Sequence, residues 1–141
     1  MDITSAAIAT VLSTTISTLV NLLIARNNKL KSFDDQLDSL LKIAIQYPYL
    51  EGHDFTKSWN SKYDRNDEKY LRYEVYATMV FNFLSRFCGY YKYNSEKIEK
   101  YIAVKDWVRL HDKYWRDPTV PHENTDTYDK EFVELVEKYL R

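Results

Sequence analysis

The chain is short of the residues that interrupt helices or build covalent frameworks. Among its 141 residues are only 2 Gly, 3 Pro and 1 Cys. So few backbone breakers argue against a β-sandwich and against a glycine-rich nucleotide-binding fold, and they favour long helices. The single cysteine, Cys88, excludes an internal disulfide and a cysteine-rich zinc site, and it fits a reducing compartment. The composition therefore predicts an all-α fold.

An excess of charge of one sign is also missing, because 20 Lys and Arg residues oppose 21 Asp and Glu residues. This balance argues against binding driven by bulk charge, so we expect no duplex nucleic acid as a partner. No P-loop, GxGxxG or GxSxG motif is present, and the 3 histidines lack metal-ligand spacing. We therefore expect no cofactor, no metal and no catalytic residue, and the chain is predicted to be non-enzymatic.

The stretch from Ile3 to Ala25 contains no charged residue. As a helix it would be roughly 35 Å long at ~1.5 Å per residue, enough to cross a hydrocarbon core of about 30 Å. Basic residues follow it at Arg26, Lys29 and Lys31, and the positive-inside rule places that side in the cytoplasm. The sequence thus predicts a single-pass transmembrane helix in the inner (plasma) membrane, with its N-terminus outside. The predicted organisation is a span over 1–26, a junction over 27–32 and a cytosolic helical domain over 33–141.

Small and polar residues recur within this stretch at helical spacing and mark one face: Ala6, Thr10, Ser13, Thr14, Ser17 and Asn21. In a membrane, such a face lets helices approach closely and form hydrogen bonds with one another. We expect the span to associate into a homo-oligomer, either as an anchor or around a narrow pore. The alternative is a soluble or peripheral interaction module, in which the Ile and Leu side chains of the other face pack against a partner's helices.

Beyond the junction, the spacing of apolar residues predicts a compact bundle of four to five helices. Aromatic residues make up 16% of the chain, which is ample for a small packed core. The predicted segments are a helix over 33–46 opened by Ser32, an aromatic loop over 47–67, a long helix capped by Asn66, a helix opened by Asn94 or Ser95 with a break near Ala103, a DPTVP turn, and a last helix over 127–140.

Aromatic and basic residues alternate in two places, KSWNSKYDR and KDWVRLHDKYWR. Aromatic faces stack on bases while Arg and Lys contact phosphate, so this pattern is compatible with a nucleotide or a short oligonucleotide. The alternative is that the Trp residues are core anchors and the basic residues are solvated. The candidate ligand-binding residues are Trp59, Lys62, Tyr63, Arg65, Trp107, Arg109, Lys113, Trp115 and Arg116.

Three further side chains are candidates for chemistry. Glu74 lies mid-helix among aromatics, and we expect it to be buried and paired with Arg72 or Arg109. If the protein were an enzyme, Glu74 or His111 would be its acid or base. Cys88 lies on the core side of the aromatic helix, where a buried and inert thiol is expected.

The runs YPYLE at 47–51, YEVYATMVFNFL at 73–84 and VKDWVRLHDKYW at 104–115 carry a resemblance. In layout the chain resembles a group of uncharacterised bacterial proteins with one N-terminal span and a short cytosolic helical domain. It is similar in plan to membrane effectors of bacterial antiphage defence. The resemblance implies membrane lipid and further copies of the chain as partners, and a cyclic nucleotide or cyclic oligonucleotide as the trigger of a membrane-perturbing effector.

Overall fold

The computed structural model describes the backbone of residues 3–116 and 127–141, and the side chains of residues 16–116 and 127–141. Every regular element within these ranges is helical, which confirms the predicted all-α class. The chain divides into two compact units, Met1–Gln36 and Leu37–Arg141. The predicted DPTVP turn falls outside the described residues.

Seven α-helices occur in the described part of the chain, together with one turn of 3-10 helix at Pro48–Glu51. In chain order the helices are α1 (Ile3–Gln46), α2 (His53–Ser58), α3 (Glu68–Tyr90), α4 (Ser95–Glu99), α5 (Val104–Leu110), α6 (Asp112–Arg116) and α7 (Lys130–Leu140). Residues 33–141 thus contain more and shorter helices than the four to five that periodicity predicts, because α2 forms within the predicted loop and an unpredicted break at His111 divides α5 from α6.

Helix α1 runs for 44 residues without interruption, so the predicted junction over 27–32 is not a break in the helix. The expected helix start at Ser32 is wrong. No Gly or Pro occurs between Ile3 and Gln46 to stop the preceding helix. The Gln36 amide donates to the Ser32 carbonyl at 2.9 Å and to its hydroxyl at 3.1 Å, as neighbours on one helix face do.

The first unit exposes a long stretch of α1. Every side chain from Ile16 to Lys29 is exposed. Across the described residues no helix combines enough length with enough apolar character to traverse a bilayer. Residues 3–15 of the predicted span, which include Ala6, Thr10, Ser13 and Thr14, lie outside the part of the chain whose side chains are described.

The aromatic segment 47–67 is more ordered than the predicted loop. Pro48 opens the 3-10 turn, where a missing N–H costs nothing, and the Gly52 N–H closes it on the Tyr49 carbonyl at 3.0 Å. Gly52 then serves as the N-cap of α2. Phe55 on α2 packs edge-on against Tyr49 and Tyr73, with ring centroids 5.0 and 5.5 Å apart. This segment has no periodic apolar face, and ring contacts between aromatic residues hold it together instead.

Helix α3 supplies more buried side chains to the second unit than any other described element. Its N-cap is Asp67, whose carboxylate accepts from the Lys69 N–H at 2.9 Å, and not the expected Asn66. Its inward face is fully or almost fully buried and comprises Tyr73, Glu74, Tyr76, Ala77, Val80, Phe81, Phe83, Leu84, Phe87 and Cys88. After α3 the chain reverses through Lys92 and Tyr93, which both adopt the left-handed conformation with φ of 51° and 56°.

Helices α4 to α6 are short pieces of the helical segment predicted after Asn94. Asn94 caps α4 by accepting from the Lys97 N–H at 3.1 Å, and the chain breaks at Ala103 as predicted. A second break at His111 separates α5 from α6, where His111 adopts φ −101° and ψ 23°. Helix α7 buries the expected Phe132, Leu135, Val136 and Tyr139.

We expect Phe81→Ala to destabilise the second unit by about 3–5 kcal/mol, because it opens a cavity in a fully buried position. The Phe81 ring lies 4.9 Å from the ring of Trp115 and 5.9 Å from that of Tyr114. Thermal unfolding of the full chain, followed by near-UV circular dichroism in mild detergent, should show a midpoint lower by about 10 °C or more.

The matched control is Ile45→Ala, because the Ile45 side chain is 77% exposed. We expect its effect to stay within about 0.5 kcal/mol. Equal shifts for the two variants would contradict the burial of Phe81.

Candidate functional site

The first predicted ligand cluster is divided between core and surface. Trp59, at the end of α2, is fully buried. Its ring lies 5.2 Å from that of Tyr73, 5.7 Å from that of Tyr114 and 5.5 Å from that of Tyr63. Lys62 and Arg65 are exposed on the connection to α3. The Trp59 ring therefore stacks within the protein.

The second predicted cluster joins α5 and α6 to the rest of the second unit. Trp115 is 6% exposed and its indole N–H donates to the Glu137 carboxylate at 2.9 Å. Arg109 Nε donates to the Tyr139 carbonyl at 2.9 Å, and Arg116 lies 3.9 Å from Glu137. These contacts attach α5 and α6 to α7. Trp115 thus fits the alternative in which the Trp residues are core anchors.

Basic side chains from both clusters remain at the surface. Lys113, Arg109 and Arg116 are exposed on α5 and α6. Lys57, from the first of the two aromatic–basic runs, instead contacts the Asp112 carboxylate and the Arg109 carbonyl, each at 2.6 Å. Binding of a nucleotide by these residues stays a prediction.

Glu74 is buried as expected, with 8% of its surface exposed. Its carboxylate accepts from the Tyr63 hydroxyl at 3.1 Å. The two arginines proposed as its partners contact other groups: Arg72 contacts Glu68 and Tyr49, and Arg109 contacts Tyr139. Glu74 thus joins α3 to the segment that precedes it.

A denser polar cluster surrounds Glu51, at the end of the 3-10 turn. Its carboxylate accepts from the Trp107 indole N–H at 2.9 and 3.0 Å and from the Tyr76 hydroxyl. His111 Nε2 lies 3.5 Å from Glu51 Oε1, and on its other side His111 Nδ1 lies 2.9 Å from the Tyr73 hydroxyl. We call these five residues the Glu51 cluster. It connects the 3-10 turn, α3, α5 and the α5–α6 break.

The carboxylate of Glu51 determines how the buried imidazole of His111 is arranged. An anion next to Nε2 favours a hydrogen on that nitrogen. The Tyr73 hydroxyl and His111 Nδ1 share a hydrogen bond of 2.9 Å on the other side of the ring. His111 and Tyr73 are both fully buried, so neither ring nitrogen nor the phenol is open to a substrate from solvent.

Folding changes the proton affinity of the cluster in opposite directions. Burial alone would raise the pKa of Glu51, but interactions with His111, Tyr76 and Trp107 outweigh it and hold the pKa below its ordinary value of 4.5. Burial raises the pKa of Tyr73 and of Tyr76, and the nearby Glu51 charge raises both further. The cluster therefore keeps one anion surrounded by phenols that stay protonated as donors.

The sequence alone does not single out Glu51, although this residue ends the run YPYLE. Its partners Tyr76 and Trp107 lie 25 and 56 positions further along the chain. No helical spacing relates residues so far apart. The only local signal is an acidic residue directly after an apolar and aromatic run, followed by Gly52.

An open apolar groove of about 400 Å³ lies on the other side of Tyr76, between the end of α1 and α3. Arg72 forms its polar edge, with its guanidinium 4.0 Å from the centre of the Tyr47 ring and hydrogen bonds to Tyr49 and Glu68. The residues that line the groove are Ile43, Tyr47, Glu68, Leu71, Arg72, Val75, Tyr76 and Met79. The groove offers contact area to an apolar partner and few groups suited to catalysis.

Two further expectations concern Cys88 and metal ions. Cys88 is fully buried, and burial raises the pKa of its thiol to about 12. The prediction of an unreactive buried thiol is therefore supported. Among the residues that the structure describes, no three His, Cys, Asp or Glu side chains come together as metal ligands would.

Comparison of the chain with protein-family models, with curated proteins and with solved structures finds no match.

We expect Glu51→Gln to lower stability by about 2 kcal/mol at pH 7, since charge-assisted hydrogen bonds are lost and an amide N–H₂ faces donors. Because folding lowers the pKa of Glu51, its ionised form contributes stability above pH 4.5. That contribution is lost as the pH falls through the lower pKa of the folded state. The gap in unfolding midpoint between wild type and Glu51→Gln should therefore close toward pH 3.

Thermal unfolding of both proteins from pH 3 to pH 8 measures this gap. Glu96→Gln is the matched control, because the Glu96 side chain is 80% exposed in an α4 ion pair with Lys100. A gap of equal size at pH 3 and pH 7 would show that the loss does not come from the charge of Glu51.

Proposed function

We propose that this chain is a non-enzymatic membrane-anchored protein. Its N-terminal helix lies in the inner membrane, and its helical domain binds a ligand or partner in the cytoplasm. One observation carries the proposal. Within the exposed part of α1, six large aliphatic side chains are 47–62% exposed: Ile16, Leu19, Val20, Leu22, Leu23 and Ile24.

These aliphatic side chains cover more than half of the circumference of α1, since successive residues of a helix are about 100° apart. A surface helix that packs on a protein core shows a narrower apolar stripe than this. Removing a half-exposed aliphatic side chain from water gains roughly 1 kcal/mol, so six together favour an apolar surrounding strongly. Lipid can cover all of them at once, whereas a single partner helix covers one side.

The charges around this segment support an orientation. Arg26, Lys29 and Lys31 follow the aliphatic residues on the same helix. Cations at the cytoplasmic end of a span agree with the positive-inside rule. We therefore infer that the N-terminus lies outside and residues 33–141 lie in the cytoplasm.

We also infer that the span associates with further copies of itself. Ser17 and Asn21 lie on the side of α1 opposite Leu19 and Leu23, and both are exposed. With the aliphatic side toward lipid, the small and polar side is free to contact another copy, where the Asn21 amide finds a hydrogen-bond partner. The more specific role, a membrane-perturbing antiphage effector triggered by a cyclic nucleotide, stays a prediction based on resemblance.

We expect the full chain to sediment with membranes and to resist extraction by high salt and alkaline carbonate. Leu19→Asp combined with Leu23→Asp should move it to the supernatant, because each charge in a span costs about 3 kcal/mol. The control, Asn27→Asp combined with Asn28→Asp, adds the same charge beyond the aliphatic residues and should remain with the membrane. A wild-type chain that is monodisperse in a detergent-free supernatant would instead support the soluble interaction module.

We further expect Asn21→Leu to weaken association of the detergent-solubilised chain by about threefold to tenfold, because an interhelical amide contact is lost. Sedimentation equilibrium in detergent measures the change. The control is Leu23→Ile, on the opposite side of α1, which should leave association unchanged. If Leu23→Ile weakened association and Asn21→Leu did not, the helices would meet through their aliphatic sides.

A further inference from the structure

The outward face of α3 carries a regular row of side chains that we call the outer stripe: Glu68, Arg72, Val75, Met79, Asn82 and Arg86. They recur at steps of four and three residues, which keeps them within one helical face. All are exposed except Arg72, which is half-buried. Over roughly 27 Å, at ~1.5 Å per residue, the stripe faces away from the core.

The chemistry of the outer stripe changes from one end to the other. It begins with the acidic Glu68, whose side chain is 80% exposed, and ends with the basic Arg86. At its centre are Val75 and Met79, 62% and 39% exposed. Large apolar side chains exposed together between charged ends are typical of a contact surface.

The spacing of the outer stripe is symmetric about position 77. Glu68 and Arg86 are each nine residues from that point, Arg72 and Asn82 are each five, and Val75 and Met79 are each two. If two copies of α3 run antiparallel, every member of the stripe therefore lies opposite its symmetric counterpart. The opposed pairs are acid with base, arginine with amide, and aliphatic with aliphatic.

We propose that the outer stripe of α3 binds the same stripe of a second copy of this chain, with the two helices antiparallel about a two-fold axis near position 77. Glu68 pairs with Arg86 of the second copy, and the contact occurs twice by symmetry. Val75 packs against Met79 of the second copy at the centre. Steps of four and three are the spacing at which two helices pack side by side with their axes about 20° apart.

Charge complementarity favours a second copy over an unrelated partner. A partner for this stripe must carry an acid, an apolar centre and a base in reverse order, and the stripe itself meets that requirement. Arg86 makes no ion pair with any residue that the structure describes. Glu68 contacts Arg72, but a carboxylate has acceptor capacity for a second guanidinium.

The apolar groove overlaps the outer stripe, since Glu68, Arg72, Val75 and Met79 belong to both. Ile43 and Leu71 line it next to Val75 and Met79, and Leu71 is 45% exposed. Aliphatic side chains of a second copy can therefore lose water in the groove as well as along the stripe. The contact lies within Leu37–Arg141, so it does not depend on whether α1 enters a membrane.

The decisive experiment is a charge exchange in the full chain, with association measured in mild detergent in the Asn21→Leu background. Glu68→Arg puts a cation opposite Arg86 at both ends of the two-fold contact and should weaken the dimer at least about tenfold. Arg86→Glu should do the same, because it opposes two anions. The double variant restores opposite charges across the two-fold axis and should return the dimer to within about threefold of the starting affinity.

The matched control is Glu96→Arg. In the wild type, the Glu96 side chain is 80% exposed, as is that of Glu68, and it forms an ion pair with Lys100, four residues further along the chain. It should leave association unchanged. Failure of the double variant to recover, or equal weakening by Glu96→Arg, would overturn the proposed pairing.

Disulfide formation between copies tests the antiparallel register separately. When a Val75→Cys chain is mixed with a differently tagged Met79→Cys chain, mild oxidation should join unlike chains several-fold more often than like chains. Glu68→Arg should abolish this preference and the charge-exchange double variant should restore it. An equal yield of like and unlike pairs, or a yield that Glu68→Arg does not alter, would refute the two-fold contact.

Discussion

The hydrogen bonds of the Glu51 carboxylate connect the helices of the second unit to one another. Through Trp107 and Tyr76 it joins the 3-10 turn to α5 and α3, and through His111 it reaches the break between α5 and α6. A half-buried anion is costly unless donors surround it. Here Trp107 and Tyr76 donate to it directly, and His111 Nε2 lies 3.5 Å away. The 3-10 turn after α1 places this anion next to its donors.

Around this cluster, the aromatic residues perform two different tasks. Tyr76 has its ring along the groove and its hydroxyl on Glu51, so one side chain connects surface and core. Trp59 has its ring fully buried among other rings. Both of these side chains therefore have a structural role in this fold. In the part of the chain that the structure describes, the surfaces open to partners include the exposed aliphatic part of α1, the outer stripe of α3, the apolar groove and the exposed basic residues.

Local features of the sequence predicted much of the fold. The Asn94 cap, the break at Ala103 and the buried side of α3 follow from side chains within a few positions of one another. The start predicted at Ser32 failed because a capping residue begins a helix only where the chain leaves the preceding one, and nothing interrupts α1 there. The Glu51 cluster could not be predicted, because its members are distant in sequence and meet only once the helices pack.

The burial of Cys88 has a practical consequence for how the fold can be followed. The chain has one thiol, on the inward face of α3, and a pKa raised to about 12 leaves almost none of it as thiolate while the core is closed. Its rate of alkylation near neutral pH therefore reports transient opening of the region around α3. The protein thus contains its own probe of breathing motions, without any added label.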